Sequence, residues 1–357
     1  MRTFNFENLN KNEIAYLLTT KNEEEVKALY EASYRMKLKH IGNIVHLRGI
    51  AEISNVCTKD CYYCGIRKSN PNVNRYTMTK EDVIKAAKFS LDHNYGSIAI
   101  QAGERDDPEW VDFVEEIITD IHALSDFKLG ITLSLGEQTR ETFARWRKAG
   151  ATRYLLRIET SDPDLYKKLH PADHSYEIRI ENLKLLRETG YQVGTGVMIG
   201  LPYQTANDLA DDILFMKEMD IDMIGMGPYI PHHDTPLATA DYTFDEAKQL
   251  DLGHRMIALT RLVLKDVNIA ATTALQALGG DGRLRGLQVG ANIIMPIVID
   301  DTNYRKNYFL YDNKPGVDEN CESFRKKLED SIISIGESIS YGERGDSRHY
   351  KRRKGII

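Results

Sequence analysis

Cys57, Cys61 and Cys64 are the residues whose types and spacing can do the most chemistry. They are three of the chain's four cysteines, and the fourth, Cys321, lies far away. Gaps of three and two residues let one loop wrap three thiolates around a single inorganic centre. Thiolate clusters select zinc, copper(I) or iron–sulfur. A structural zinc normally closes with four ligands, commonly as two separated pairs, and no second pair exists here. A disulfide framework belongs to small secreted domains, which does not describe 357 residues with four cysteines. Three ligands suit an iron–sulfur cubane whose fourth iron stays open to a small molecule.

The elements around this loop must position it. Val45–Ile53 reads as a buried strand leading directly into the cysteines, with Arg48 and Glu52 as polar members. Further strands are expected at Ser97–Ala102, Leu129–Ser134, Arg153–Arg157, Val193–Ile199, Asp222–Gly227, Ile269–Thr273 and Ala291–Met295. Helices are expected between them, opening at Thr79, Asp107, Thr139, Pro163, Ser175, Thr205, Phe244 and Gly282. The local signals are specific: Pro163 at a first helical position, Gly190 as a C-cap, and Thr205 with Asp208 as a capping box. Residues 1–40 read as a helical lead-in, with Thr20 and Glu23 as its capping box and Val26, Leu29, Tyr30 and Tyr34 as its apolar stripe. A last helix is expected over Cys321–Ile335.

Eight strand–helix pairs predict an α/β fold, a (β/α)8 TIM barrel over residues 41–312. The helical extension 1–40 precedes it, and a helix with a basic tail, 313–357, follows. A doubly wound open sheet is the rival, but no G-x-G-x-x-G follows the first strand. Barrel active sites lie at the C-terminal strand ends. Here those ends are the cysteine loop, Gln101–Glu104, Ser134–Glu137, Arg157–Thr160, Met198–Pro202, Gly225–Pro228, Thr272–Thr273 and the segment from Pro296, rich in glycine and polar groups.

Composition excludes several classes. With 42% hydrophobic and 28% charged residues the chain has ample core. A net charge of −6 gives no general reason to bind nucleic acid. Met1-Arg-Thr-Phe-Asn lacks an apolar h-region, and no apolar run approaches the ~18 residues of a membrane span. The expectation is no membrane and a cytoplasmic location, where thiolates stay reduced.

The cysteine loop resembles that of the radical S-adenosylmethionine (SAM) superfamily. Longer stretches narrow the likeness: Asn55-Val56-Cys57, Tyr63-Cys64-Gly65-Ile66-Arg67, Arg75-Tyr76, Thr132 to Glu137, Arg153 to Arg157, Gly200-Leu201-Pro202, Gly227 to Pro231, Asp234 to Leu237, Ala271 to Ala274 and Gly290-Ala291-Asn292. Together they resemble the HydE group of [FeFe]-hydrogenase maturases, in the biotin synthase-like branch, over roughly residues 40–312.

The resemblance implies one [4Fe–4S] cluster on Cys57, Cys61 and Cys64, with SAM bound at its open iron and cleaved to a 5′-deoxyadenosyl radical. Gln101, Gly103 and Glu104 match the motif that meets the SAM amine, although family members commonly have serine where this chain has Ala102. Glu159 matches the acid on the ribose or amino group, and Arg179 the arginine on the SAM carboxylate. Tyr63, Ser134, Met198 and Met226 complete the cofactor set. The implied substrate is a small iron–cysteine complex with carbon monoxide and cyanide, delivered by HydG, with HydF as a further partner. Arg48, Gly136, Arg153, Arg157, Thr272 and Thr273 are its candidate contacts, and Tyr304 closes the cavity. Arg153 and Arg157 lie an even number of residues apart and so share one side of a strand.

His232-His233-Asp234 looks like a metal site but, in a proline-rich loop, reads as a turn. Lys351-Arg352-Arg353-Lys354 reads as a solvated tail or a contact for an acidic partner. Cys321 is one cysteine, too few for a second cluster. The alternatives are a methylornithine-forming lysine mutase, a biotin synthase-like sulfur inserter, and a non-enzymatic iron–sulfur carrier.

Overall fold

The computed structural model describes residues 2–357. Its longest strand, β1 (Ile44–Ser54), has eleven residues and runs straight into the cysteine loop. The strands that complete the barrel wall are β2 (Ser97–Ala102), β3 (Gly130–Ser134), β4 (Arg153–Leu155), β5 (Gln192–Thr195), β6 (Met223–Ile224), β7 (Asn268–Ile269) and β8 (Ile293–Ile294). Each pairs in parallel with the next up to β7, and β8 pairs back onto β1. A parallel bridge between Ala270 and Ile293 closes the remaining seam, supported by Asn292 N–H on Ile269 O at 2.9 Å. The fold is a (β/α)8 barrel.

The capping signals explain the helix starts. Thr79, Asp107, Thr139 and Ser175 each accept from a first-turn backbone N–H, and Thr205 with Asp208 forms a full capping box. The lead-in is two helices, Lys11–Thr19 and Glu23–His40. The second is capped by Asn22 and not by Thr20, whose hydroxyl donates to Glu25 at 2.7 Å instead. Later strands are shorter than their apolar runs. β5 breaks at Gly196, where a Cβ would stand 2.2 Å from Gly225 O, and pairing resumes at Met198–Ile199 against Gly227–Pro228. Thr273 opens the helix Thr273–Leu278 and does not end a strand.

The basic tail, expected as solvated or as a contact for an acidic partner, folds back onto the barrel's own acids. Ser338–Ser340 pairs with the start of β1, below the point where β2 joins it. The chain then crosses the N-terminal end of the barrel. Arg353 forms ion pairs with Asp220 and Asp222 at 2.8 Å, and Arg352 reaches Asp266 at 2.9 Å. The acidic turns before β6 and β7 therefore neutralise the tail and hold it down.

That floor also claims two arginines expected in the substrate cavity. Arg153, fully buried, contacts Asp346 at 2.6 Å, and Arg48 Nη2 donates to Gly345 O at 2.9 Å. Both sit low on their strands, so an inward side chain there meets the floor. No helix is long and apolar enough to cross a membrane, among the described residues.

Candidate active site

The opposite end of the barrel holds a cavity of about 320 Å³, and its walls include all three loop cysteines. Asn55, just past β1, ties the loop down: its side-chain amide donates to Asn74 O (2.9 Å) and Asn307 O (2.7 Å). Arg75 forks onto the carbonyls of Asn55, Ile66 and Arg67 at 2.6 to 2.7 Å. These bonds satisfy a turn that has no ladder of its own. Gly65 is required, because a Cβ would stand 2.3 Å from Phe309 O.

The thiols fit an iron–sulfur group. Cys57 Sγ accepts from Glu104 N–H at 3.3 Å. Burial first, then the neighbouring thiols, pushes the Cys61 thiol up to about 12 and the Cys64 thiol well above its usual range. Three buried thiols gathered on one turn suit a soft cationic centre that would take them as thiolates.

Beside the sulfurs lies a compact charge cluster. Lys59 bridges Glu104 Oε1 (3.2 Å) and Glu137 Oε2 (2.9 Å), while Arg179 meets Glu137 Oε1 at 2.8 Å and Glu104 Oε2 at 3.9 Å. Burial raises the Glu104 carboxyl above its ordinary range against the pull of Arg179 and Lys59. Glu159 sits in the left-handed region (φ 67°), with Arg157 Nη2 2.9 Å from its Oε2 in a contact without hydrogen-bond alignment. Its carboxyl is likewise raised by burial, with Arg157 opposing.

Gln101, Gly103, Ser134, Gly136 and Met198 line the same cavity, and Tyr63 lies on its wall with its hydroxyl 3.1 Å from His170 Nε2. Across the cavity, Thr272 keeps an unpartnered hydroxyl and Thr273 accepts from Arg283 Nη2 at 2.7 Å. Arg283 retains Nε and Nη1 without partners, and burial lowers it to about 10. Lys314 also points in, held by Glu52 at 2.6 Å.

Four expected residues lie elsewhere. Arg48 and Arg153 belong to the barrel floor. Tyr304 packs at a tilt against Tyr76 (4.9 Å between rings) and donates to Asp82 at 3.2 Å, outside the cavity wall. Met226 is buried in the core with its sulfur 3.8 Å from Thr260 Oγ1, because the strand alternates there and turns Gly225 and Gly227 toward the cavity. Lys59, Glu137, Arg283 and Lys314 were not expected in these roles, nor Tyr308 and Tyr311 on the cavity wall. Lys59 sits inside the cysteine motif itself and was the most findable.

The histidine pair folds as a turn, with Thr235 N–H on His232 O at 3.0 Å. His232, His233 and Asp312 bring donor atoms within 4.8 Å of one another. Yet His232 Nδ1 accepts from Asp234 N–H at 3.2 Å, which leaves the proton of a neutral ring on the Nε2 that faces the group.

Comparison with known proteins decides the family. The Radical SAM superfamily model matches residues 51–216. The [FeFe] hydrogenase maturase subunit HydE of Thermotoga maritima is 44% identical over 81% of this chain and 80% of its own. The chain belongs to the radical SAM superfamily. Within that superfamily, 3-methylornithine synthase of Methanosarcina acetivorans is 27% identical over 82% of this chain and 81% of its own. The crystal structure of methylornithine synthase (PylB) superposes with a TM-score of 0.80 at 22% identity, covering 98% of this chain and 97% of that one. That likeness shows the barrel fold. The protein is a radical SAM enzyme, and membership implies a [4Fe–4S] cluster and SAM.

Proposed function

We propose that this radical SAM enzyme is a HydE-like maturase in assembly of the [FeFe]-hydrogenase active-site cluster. Cys57, Cys61 and Cys64 would hold the [4Fe–4S] cluster. When bound, cluster and SAM supply reductive cleavage of the SAM carbon–sulfur bond and so a 5′-deoxyadenosyl radical. The chain's own residues then do the positioning. Arg179, between Glu104 and Glu137, presents a guanidinium to the SAM carboxylate, and Glu104 takes the amine. Glu159 accepts from the ribose, and Gln101, Gly103, Ser134, Met198 and Tyr63 enclose the nucleoside side of the cavity. The barrel walls keep water from a reactive fragment.

The observation that carries the substrate reading is the far wall. Arg283 keeps unpartnered N–H groups beside the free hydroxyl of Thr272, with Thr273 and Arg157 adjoining. Unpaired buried donors suit an anion, such as the carboxylate and cyanide of an iron–cysteine complex. HydG- and HydF-like proteins are the proposed source and recipient, and the cytoplasm the proposed compartment. Gly136 carries its contact through the backbone.

We propose a single cluster. Cys321 is buried beside Asp300 and lines a separate small cavity. Anaerobic reconstitution should give about four irons per chain, and about eight would contradict it.

The second reading, a methylornithine-forming mutase, draws on the 27% identical relative. The substrate assay separates the two. Protein with SAM and dithionite should convert a synthetic iron–cysteine complex carrying carbon monoxide and cyanide, with 5′-deoxyadenosine in step. Conversion of lysine, with the complex untouched, would overturn the maturase reading.

A further inference from the structure

The three loop sulfurs are faced by different kinds of donor. Cys57 accepts from the backbone of Glu104 at 3.3 Å, and Cys64 is faced by the backbone N–H of Ile66. Cys61 has a side chain instead: His174 Nδ1 stands 3.9 Å from its sulfur, within reach for an N–H donor to sulfur.

The tautomer follows from the other end of the ring. His174 Nε2 faces the backbone N–H of Asp60 at 3.3 Å, so that nitrogen accepts and the proton lies on Nδ1, toward Cys61. Asp173, exposed, has its oxygen 3.7 Å from the same Nε2, beyond hydrogen-bond range. Tyr63 is a second side chain within reach of this thiol as a donor, but its one proton is directed to His170. His170 Nδ1 lies 2.9 Å from Tyr166 O and carries its proton there, leaving Nε2 to accept from Tyr63 at 3.1 Å.

His174 is held for this task. It is buried, its own N–H bonds to Pro171 O at 3.0 Å, and its ring lies 5.8 Å from that of His170. One imidazole thus grips the loop twice, at the ligand sulfur and at the peptide before it.

We propose that His174 is a positioning residue that donates Nδ1–H to the Cys61 sulfur and raises the reduction potential of the cluster on this loop. A donor to a ligand sulfur stabilises the more negative, reduced cluster, and such hydrogen bonds are among the determinants of iron–sulfur potentials. The inference rests on the cluster reading above.

The test is an EPR-monitored redox titration of the anaerobically reconstituted full chain. His174→Phe keeps a ring and removes the donor, so its midpoint should move to a more negative value. His174→Asn places an amide N–H near the Nδ1 position and should bring the midpoint back toward wild type. An unchanged midpoint in His174→Phe at equal cluster content overturns the proposal. So does a shift that Asn fails to reverse, which would assign it to packing. Should His174→Phe lose its cluster, pulsed EPR on wild type labelled with ¹⁵N-histidine decides. A histidine nitrogen coupled to the reduced cluster is expected, and its absence overturns the proposal. Failure of the cluster reading would look different: no reduced-cluster signal in wild type and no 5′-deoxyadenosine.

Discussion

Glu104 fills the space that a side chain at residue 136 would need. A Cβ on Gly136 would stand 2.2 Å from Glu104 Cγ and 2.3 Å from its Oε2, and the backbone there has φ +80°. The end of β3 therefore fixes the carboxylate at the end of β2. Gly136→Ala should displace Glu104 while leaving the barrel folded. Misplacement of about 1 Å costs on the order of 100-fold, so SAM cleavage should fall by about that factor. A loss under about threefold would show that Glu104 is not set by this contact.

Arg283 gives a different signature. Arg283→Met removes the unpartnered donors of the far wall but touches neither the sulfurs nor Glu104. Charge-assisted hydrogen bonds contribute about 1.5–3 kcal/mol, so KM for the iron–cysteine complex should rise roughly 10- to 100-fold. Dithionite-driven SAM cleavage without that substrate should stay near wild type. An unchanged KM would remove Arg283 from the substrate wall.

On the barrel floor, Asp346→Asn leaves Arg153 as a fully buried cation without its acid. Breaking such a pair costs about 3 kcal/mol or more, read as a lower denaturation midpoint. Because the floor is the far end of the barrel, the effect on KM should be small.

The tail also makes the molecule's clearest pH dependence. His349 lies between Asp266 (3.1 Å) and Asp220, and these hydrogen bonds raise its pKa. A raised histidine contributes fully below its unfolded value of about 6.5 and loses that contribution as pH climbs through its folded value. Burial works against ionisation of Asp220 and Asp266, but bonds from His349, Arg352 and Arg353 outweigh it and lower both. Their contribution is present above about 3.9 and lost as pH falls through the lowered values. Protection factors in the helix Arg348–Arg353, corrected for the intrinsic exchange rate at each pH, should therefore be highest between about pH 4 and 6.5. Protection that keeps rising above pH 7 would contradict this.

Much of this site was legible in the sequence. The cysteine loop, the barrel and the placing of Gln101, Glu104, Glu159 and Thr272 on the cavity wall follow from spacing, alternation and family likeness, because each lies on a barrel strand or a few residues past its C-terminal end. What failed was depth along a strand. Arg48 and Arg153 point inward as expected, but height in a barrel depends on register and shear, which alternation does not encode. Tyr308, Tyr311 and Lys314 come from an irregular stretch after β8, where no periodicity exists to read. Nor could the sequence say that acids before β6 and β7 would recruit the basic tail, since such ion pairs link residues over 80 positions apart.

In the proposed function, three sulfurs of one loop hold the cluster at which SAM is cleaved. The most direct test is 5′-deoxyadenosine formation with dithionite by reconstituted wild type and Cys61→Ala. The wild type should form it, and Cys61→Ala should fall to background. Undiminished 5′-deoxyadenosine from Cys61→Ala would rule out Cys61 as a ligand of that cluster.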